Sequence, residues 1–395
     1  MKKVILNIDG IPHSTFKSLY DEGKFHWFQE PTKMISTFPS LTHPALSAIW
    51  GKEQFNSYES RDFDREKNKI VVDLEFVINR NNGGDSVMDK YDLKTTEAGV
   101  VFEAIKYYFG LQSHLGHPKE LKNIKKFIAS SNQELFRFWI AGYDQLLHAQ
   151  GFEKAKEALS GLHEFIEEIK EQQDLEVIVF SDHGQTETKK KFLDIKKYSS
   201  YFGFRKKSKL SSNVRDYVLP QFGPVSFARI HCQDNIKYNI AQHLKDMEGV
   251  DHAFVWDGGK VLVYSNKGEA FFDKIGESFI YHPITGNPLQ IDDSLHHKLI
   301  ESKDWFYATA ESKYPDSLHR IFNCFAKNRN PPNIAININD HYLGGLWIAS
   351  CLYPIKTMHG NLSKESAEAV VMVENDHKEI PKLIRCEELR DYVKI

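Results

Sequence analysis

The chain has 395 residues, 41% of them hydrophobic, and 51 Lys and Arg balance 54 Asp and Glu to a formal net charge of −3. That length buries a sizeable core and predicts one large domain with an insertion, or two to three smaller ones, while the absence of a basic block following a phosphate backbone argues against general nucleic-acid binding. No run approaches the roughly 20 apolar residues of a membrane-spanning helix, and Cys232, Cys324, Cys351 and Cys386 form no CxxC pair or regular framework, so buried reduced thiols are expected.

The N-terminal MKKVILNIDG has an apolar stretch that is interrupted at Asn7 and ends at Asp9, too short for the core of a signal peptide, and a cytoplasmic protein is expected. Val4 to Ile8 instead reads as a short, β-branched apolar run, as in a parallel strand buried on both faces, opening into a loop at Asp9-Gly10. In FPSLTHPALSAIWG, residues 38–51, Thr42 precedes a helical run. Pro44 falls in the first turn, where no N–H is needed, so Thr42 lies at or near the N-cap. It either caps the helix or sits where a helix start meets an anion.

Further on, Thr96 to Phe109 reads as helix, and Leu135 to Ile140 as a strand running into Ala-Gly-Tyr-Asp144. In DQLLH, Asp144 and His148 share one face of a helical turn. Gly151 to Gln172 is an amphipathic helix with Ala155, Leu159, Leu162, Phe165, Ile166 and Ile169 on its apolar face. Leu175 to Phe180 is a strand entering Ser181-Asp182-His183-Gly184, and Ile334 to Ile338 repeats that pattern into Asn339-Asp340. Alternation of strand and helix predicts an α/β fold: a mainly parallel central sheet with helices on both faces and its site beyond the carboxyl ends of the strands.

From about residue 190 the pattern changes. A lysine-rich stretch, expected to be solvated, precedes a strand (Gly223 to His231), a helix (Ile236 to Glu248), two strands (Ala253 to Trp256, Lys260 to Tyr264) and the β-rich FIYHPITGNPLQI. Residues 191–330 are read as an inserted, cap-like α+β subdomain, and 1–190 with 331–395 as the core. The insertion is expected to overhang the strand ends as a lid does. Its Trp256, Tyr281, His282, His296 and His297 are candidates for a leaving-group pocket or for a mixture of core and surface.

The strand ends carry Asp9, then Asp144 with His148, then the adjacent Asp182 and His183, and His359 lies downstream in TMHGNLS, before a glycine. Singly, each has a structural explanation as cap, turn residue or surface pair. Jointly, Asp and His at topologically equivalent places form a divalent-metal pattern.

The segments VILNIDG, PSLTHPA, YDQLLHAQG, FSDHGQ and MHGNLS, in that order, resemble the motifs of the alkaline phosphatase superfamily. They are most similar to its nucleotide pyrophosphatase/type I phosphodiesterase branch, with phosphonoacetate hydrolases and cofactor-independent phosphoglycerate mutases as more distant relatives. The resemblance covers residues 4–187 and about 315–365. It implies two zinc ions, one held by Asp9, Thr42, Asp182 and His183, the other by Asp144, His148 and His359, although manganese or iron suits similar ligands. It further implies hydrolysis of a small phosphate ester or nucleotide-like substrate through a covalent phosphothreonine on Thr42, with the N–H of His43 toward a phosphate oxygen.

The chain departs from that branch after the nucleophile. Where Phe-Pro-Asn-His and then a Gly-Ile…Asn segment are usual, it has His43-Pro44-Ala45-Leu46, with Asn56 the only asparagine nearby and Trp50-Gly51 closing the motif in place of Thr-Gly. A phosphomonoesterase, a phosphonate hydrolase and a catalytically silent relative remain as alternatives. Thr37, in STFPS, is a rival nucleophile, whereas a sulfatase would need a Cys or Ser in a Cys-x-Pro-x-Arg context. The sequence sets no oligomeric state.

Overall fold

The computed structural model describes residues 2–55, 57–59, 61–72, 116–221, 223–345 and 355–395. The expected helix Thr96 to Phe109, Asn56 and Cys351 lie outside them. Cys232, Cys324 and Cys386 are buried free thiols.

A central sheet of six strands runs in the order Leu383–Arg385, Thr32–Ile35, Glu368–Met372, Leu175–Phe180, Lys2–Ile8, Leu135–Ile140. All point one way except Glu368–Met372, which is antiparallel to both neighbours, so the sheet is mainly parallel, as expected. The pleat explains the largely apolar run of the first strand. Val4, Leu6 and Ile8 face a core shared with the helices His13–Asp21, Gly116–Ser130, Gly142–Gln150 and Phe152–Gln172. Ile5 faces the opposite core, with Leu46 and Ile49 of the helix Thr42–Ile49 and Leu389 near the C-terminus. Each such side chain, fully buried, contributes roughly 1.5–3 kcal/mol, which is why a strand covered on both faces cannot alternate with polar residues. Gly151, at φ 82°, lets the chain turn from one helix directly into the next.

The second sheet has nine strands, in the order Leu299–Glu301, Ser278–Gly286, Gly268–Ile275, Lys260–Ser265, Val250–Asp257, Ile334–Ile338, Phe227–Cys232, Asp216–Val218, Arg205–Lys207. Its pairings are antiparallel apart from the last. Here one expectation is corrected. Ile334–Ile338 is not a strand of the central sheet; it inserts antiparallel between Val250–Asp257 and Phe227–Cys232. A short apolar run reports burial on both faces without naming the sheet that supplies it. The second sheet thus takes its central strand from the stretch 331–395 assigned to the core, and the chain rejoins the central sheet only at Glu368–Met372.

One face of this sheet is covered by the helices Ile195–Ser200 and Lys237–Leu244. The other packs on the helix Ser317–Ala326 and on Phe38, Leu41 and Leu362 of the loops around the strand ends. Phe38 meets Phe227 and Phe254 edge-on at 5.5 and 5.6 Å. Of the aromatic and histidine side chains proposed for a pocket, Tyr281 is fully buried and Trp256 stacks on Phe325 within this core, while His282 and His297 meet each other at an exposed position. Among the described residues no helix is long and apolar enough to cross a membrane.

Candidate metal centre

Three adjacent parallel strands place the acidic residues. Ile8 pairs with Ile140 on one side and Asn7 with Phe180 on the other, so Asp9, the start of the helix Gly142–Gln150 and Ser181-Asp182-His183 emerge level at one edge. His359 follows the two-residue strand Thr357–Met358, which pairs antiparallel with Thr186–Glu187 just beyond His183. The two imidazoles stack, with ring centroids 4.1 Å apart. Gly10, at φ 70°, permits the close approach: a Cβ there would lie 2.7 Å from both Asp144 Oδ1 and Gln185 Nε2.

All seven residues expected as metal ligands come together. His148 Nε2 is 3.3 Å and His359 Nε2 is 3.7 Å from Asp144 Oδ1. His183 Nε2 is 3.6 Å from both Asp9 Oδ1 and Asp182 Oδ2. Donor atoms of Asp144, His148 and His359 lie within 4.8 Å of one another, and so do those of Asp9, Asp144 and His183. Asp144 therefore stands between the two groups.

Thr42 is one residue inside its helix, not its cap. The N-cap is Leu41, no side chain caps this end, and the Thr42 hydroxyl instead lies 3.4 Å from Asp9 Oδ1, to which it donates, and 3.4 Å from His183 Nε2. Pro44 sits in the first turn, and the first helical bond runs from Ala45 N–H to the Leu41 carbonyl. His43 is half-buried on the same turn. The rival Thr37 spends its hydroxyl on the Pro39 carbonyl, 2.9 Å away.

Backbone carbonyls fix the imidazole tautomers. His148 Nδ1 donates to Thr357 O at 2.8 Å, His359 Nδ1 to Ser40 O at 3.0 Å, and His183 Nδ1 to Gly184 O at 3.1 Å. Because a carbonyl only accepts, the proton sits on Nδ1 and each Nε2 turns inward as a potential ligand.

The electrostatics are those of a site short of positive charge. Among the described residues, Asp9, Asp144 and Asp182 have only histidines as ion-pair partners. Burial, then Asp182 and Asp144, push the Asp9 carboxyl well above its ordinary value; Asp182 is raised by burial too, against the pull of His183. Burial also opposes ionisation of Asp144, but His148, His359 and His183 outweigh it and hold this carboxyl low. Burial and the facing His183 push His359 down, whereas Asp144 outweighs burial at His148 and raises it. Asp182 Oδ2 is buried without a hydrogen-bond partner. The buried carboxylates of Asp9 and Asp182, one with an orphaned oxygen, and the half-buried Asp144 beside three inward Nε2 atoms form a mixed nitrogen and oxygen donor set that suits a divalent cation.

Sequence reasoning missed the residues that hold these ligands. Gln185 donates to Asp144 and accepts from Thr357, whose carbonyl in turn orients His148. Ser36 donates to the Asp182 carbonyl at 2.6 Å. Gln185 directly follows the DHG triplet, so proximity to it was the available signal; Ser36 and Thr357 carry none.

The whole molecule resembles human ectonucleotide pyrophosphatase/phosphodiesterase 5, with a TM-score of 0.51 and 12% sequence identity, over 99% of this chain and 93% of that one. The fold is pyrophosphatase/phosphodiesterase-like. At that identity the likeness is one of fold alone. No family model matches the sequence, and no curated protein does.

Proposed function

We propose that the chain is a metal-dependent hydrolase of phosphodiester or nucleotide pyrophosphate bonds with Thr42 as its nucleophile. The observation that carries this is the convergence of the Thr42 hydroxyl with three inward imidazoles and three carboxylates, two of them buried, at the strand ends of this fold. Asp9, Thr42, Asp182 and His183 would hold one zinc, and Asp144, His148 and His359 the other. Bound there, divalent ions supply the positive charge that lets a hydroxyl ionise near neutral pH and that offsets charge on the phosphoryl oxygens.

The chain's own residues do the rest. Asp9 orients the Thr42 hydroxyl through the hydrogen bond it accepts. Thr42 Oγ1 attacks phosphorus, the bond to the leaving alcohol or phosphate breaks, and a phosphothreonine forms. Water then cleaves that ester and restores Thr42. The N–H of His43 lies in the first helical turn, at the positive end of the helix, and suits an equatorial phosphate oxygen. The substrate is a small phosphate ester or nucleotide-like molecule.

The test is metal content by mass spectrometry together with hydrolysis of bis(p-nitrophenyl) phosphate by the wild type and Thr42→Ala. About two zinc ions per chain and diesterase activity lost in the variant support the reading. A protein that binds no zinc after reconstitution refutes it. Zinc with activity on p-nitrophenyl phosphate alone would make it a monoesterase, and zinc without hydrolysis a silent relative.

A further inference from the structure

Arg320 belongs to the helix Ser317–Ala326, part of the second sheet's core, yet it reaches the loops of the metal centre. The residue is 3% exposed. Nη1 donates to the carbonyls of Pro315 and Leu362, each at 3.0 Å, and Nη2 donates to the Thr37 carbonyl and the Ser40 hydroxyl, each at 3.1 Å. All four acceptors are neutral. The adjacent Asp316 is held by Arg385 through two bonds of 2.7 and 2.9 Å. A buried guanidinium without a hydrogen-bonded carboxylate is a poor device for stability, since an apolar side chain of similar volume avoids the desolvation.

Its position suggests another role. Ser40 Oγ shares its one proton between Thr37 O at 3.0 Å and Asn361 O at 3.3 Å, and the Ser40 carbonyl accepts from His359 Nδ1 at 3.0 Å. One planar fork therefore spans the loop entering Thr42 and the loop leaving His359. Such a fork imposes a spacing that a lysine's point charge does not.

We propose that Arg320 is a positioning residue that sets the separation of Thr42 from the His359 ligand group, resting on the reading of Thr42 as nucleophile. A displacement of about 1 Å at a nucleophile can cost on the order of 100-fold in rate. The site also offers a chemical test. A cavity of about 560 Å³ is lined by Arg320 with Thr37, Phe38, Pro44, Ser47 and Ala48, and reaches the exposed Glu53 and Glu277. Arg320 Nε has no hydrogen-bond partner among the described residues. Cutting the side chain back leaves room for a free guanidinium ion.

The experiment compares wild type, Arg320→Ala and Arg320→Lys by amide hydrogen exchange and by kinetics on bis(p-nitrophenyl) phosphate after zinc loading. The expected result is faster exchange at residues 36–42 and 357–363 in both variants, with the strand Lys2–Ile8 unchanged. Alongside it, kcat falls about 10- to 100-fold while KM stays within about twofold. Added guanidinium restores slow exchange and part of kcat to Arg320→Ala, and methylammonium at equal ionic strength does not. Unchanged exchange in the two loops, faster exchange throughout the protein, no selective rescue, or an unaltered kcat would each overturn the proposal. If the wild type hydrolyses nothing, the hydrolase reading fails by itself, and loop exchange with its guanidinium rescue still decides whether Arg320 positions the loops.

Discussion

Asp182→Asn should stabilise the metal-free protein and destabilise the zinc-loaded one relative to wild type. Asp182 is fully buried; its Oδ1 accepts from Gly10 N–H at 3.2 Å, and Oδ2 accepts nothing. Asparagine keeps the first bond, removes a buried charge facing Asp9 and Asp144, and places an amide donor near His183 Nε2. Without metal, the relief of an unsatisfied buried group is about 1–3 kcal/mol. An unfolding entropy near 2.1 cal/mol/K per residue, over 395 residues, makes that a rise in Tm of roughly 1–4 °C if the chain unfolds as one unit. With free zinc at 100 times its Kd, a ligand binding only the folded state adds about 2.7 kcal/mol per site. The variant forfeits that at the site that includes Asp182. At 1,000 times Kd the forfeited term is about 4.1 kcal/mol, larger than the whole gain, so the two stability orders cross between chelator and such a zinc concentration, as thermal melts in EDTA and in buffered zinc will show. The sign of the pH dependence follows from the raised folded-state pKa of Asp182 and Asp9. Their destabilising effect is absent below the unfolded carboxylate pKa, near 4, and grows as pH rises through it toward the folded value. The advantage of the variant in EDTA should accordingly shrink as pH falls to about 4. A variant less stable than wild type in EDTA at neutral pH, or a wild type indifferent to zinc, refutes this account.

Thr42→Ala should lower kcat/KM for a diester by at least about 1,000-fold while shifting Tm by less than about 2 °C, because the hydroxyl serves no cap; comparable losses in both would mark the residue as structural. Gly184→Ala should cost several kcal/mol and most of the zinc content, since a Cβ there would lie 2.2 Å from the Glu365 carbonyl oxygen and 2.8 Å from that of Glu368; both are backbone and cannot swing aside, and chelator-free melts check it. Gln185→Leu removes the amide that orients Asp144 and the acceptor of the Thr357 hydroxyl, and should weaken zinc binding about 10- to 100-fold in chelator competition, with Gln185→Glu failing to restore it because a carboxylate has no proton for Asp144.

The candidate metal centre was legible because parallel strands buried on both faces cannot hide their ends. Val4–Ile8, Leu135–Ile140 and Leu175–Phe180 announce themselves as short runs that are apolar but for Asn7, Arg137 and Glu176, and the carboxylates and imidazoles that follow them lie together at one edge of the sheet. Ile334–Ile338 shows the limit. Its run is as apolar as the others and ends in Asn339-Asp340, but its partners on both sides are antiparallel strands, and nothing local to five residues distinguishes that environment. The holding residues were illegible for a different reason. Ser36 and Arg320 donate to backbone far along the chain, while Ser40 and Thr357 accept from distant imidazoles through their own carbonyls, and such contacts leave no periodicity.

Those contacts also alter the part assigned to the second sheet. A lid would touch the strand ends only from above and could open without disturbing them. Here Phe227 and Phe254 grip Phe38, Ser226 N–H bonds the His359 carbonyl at 2.9 Å, and Arg320 binds the loops on both sides. Opening that contact would uncover Phe38 and Leu41 and strip the buried guanidinium of its partners, a cost of several kcal/mol from those groups alone. The second sheet is therefore a fixed wall of the site. Under the proposed function a substrate would enter past it without its moving, and the loops carrying Thr42 and His359 are tied to a core that neither residue belongs to.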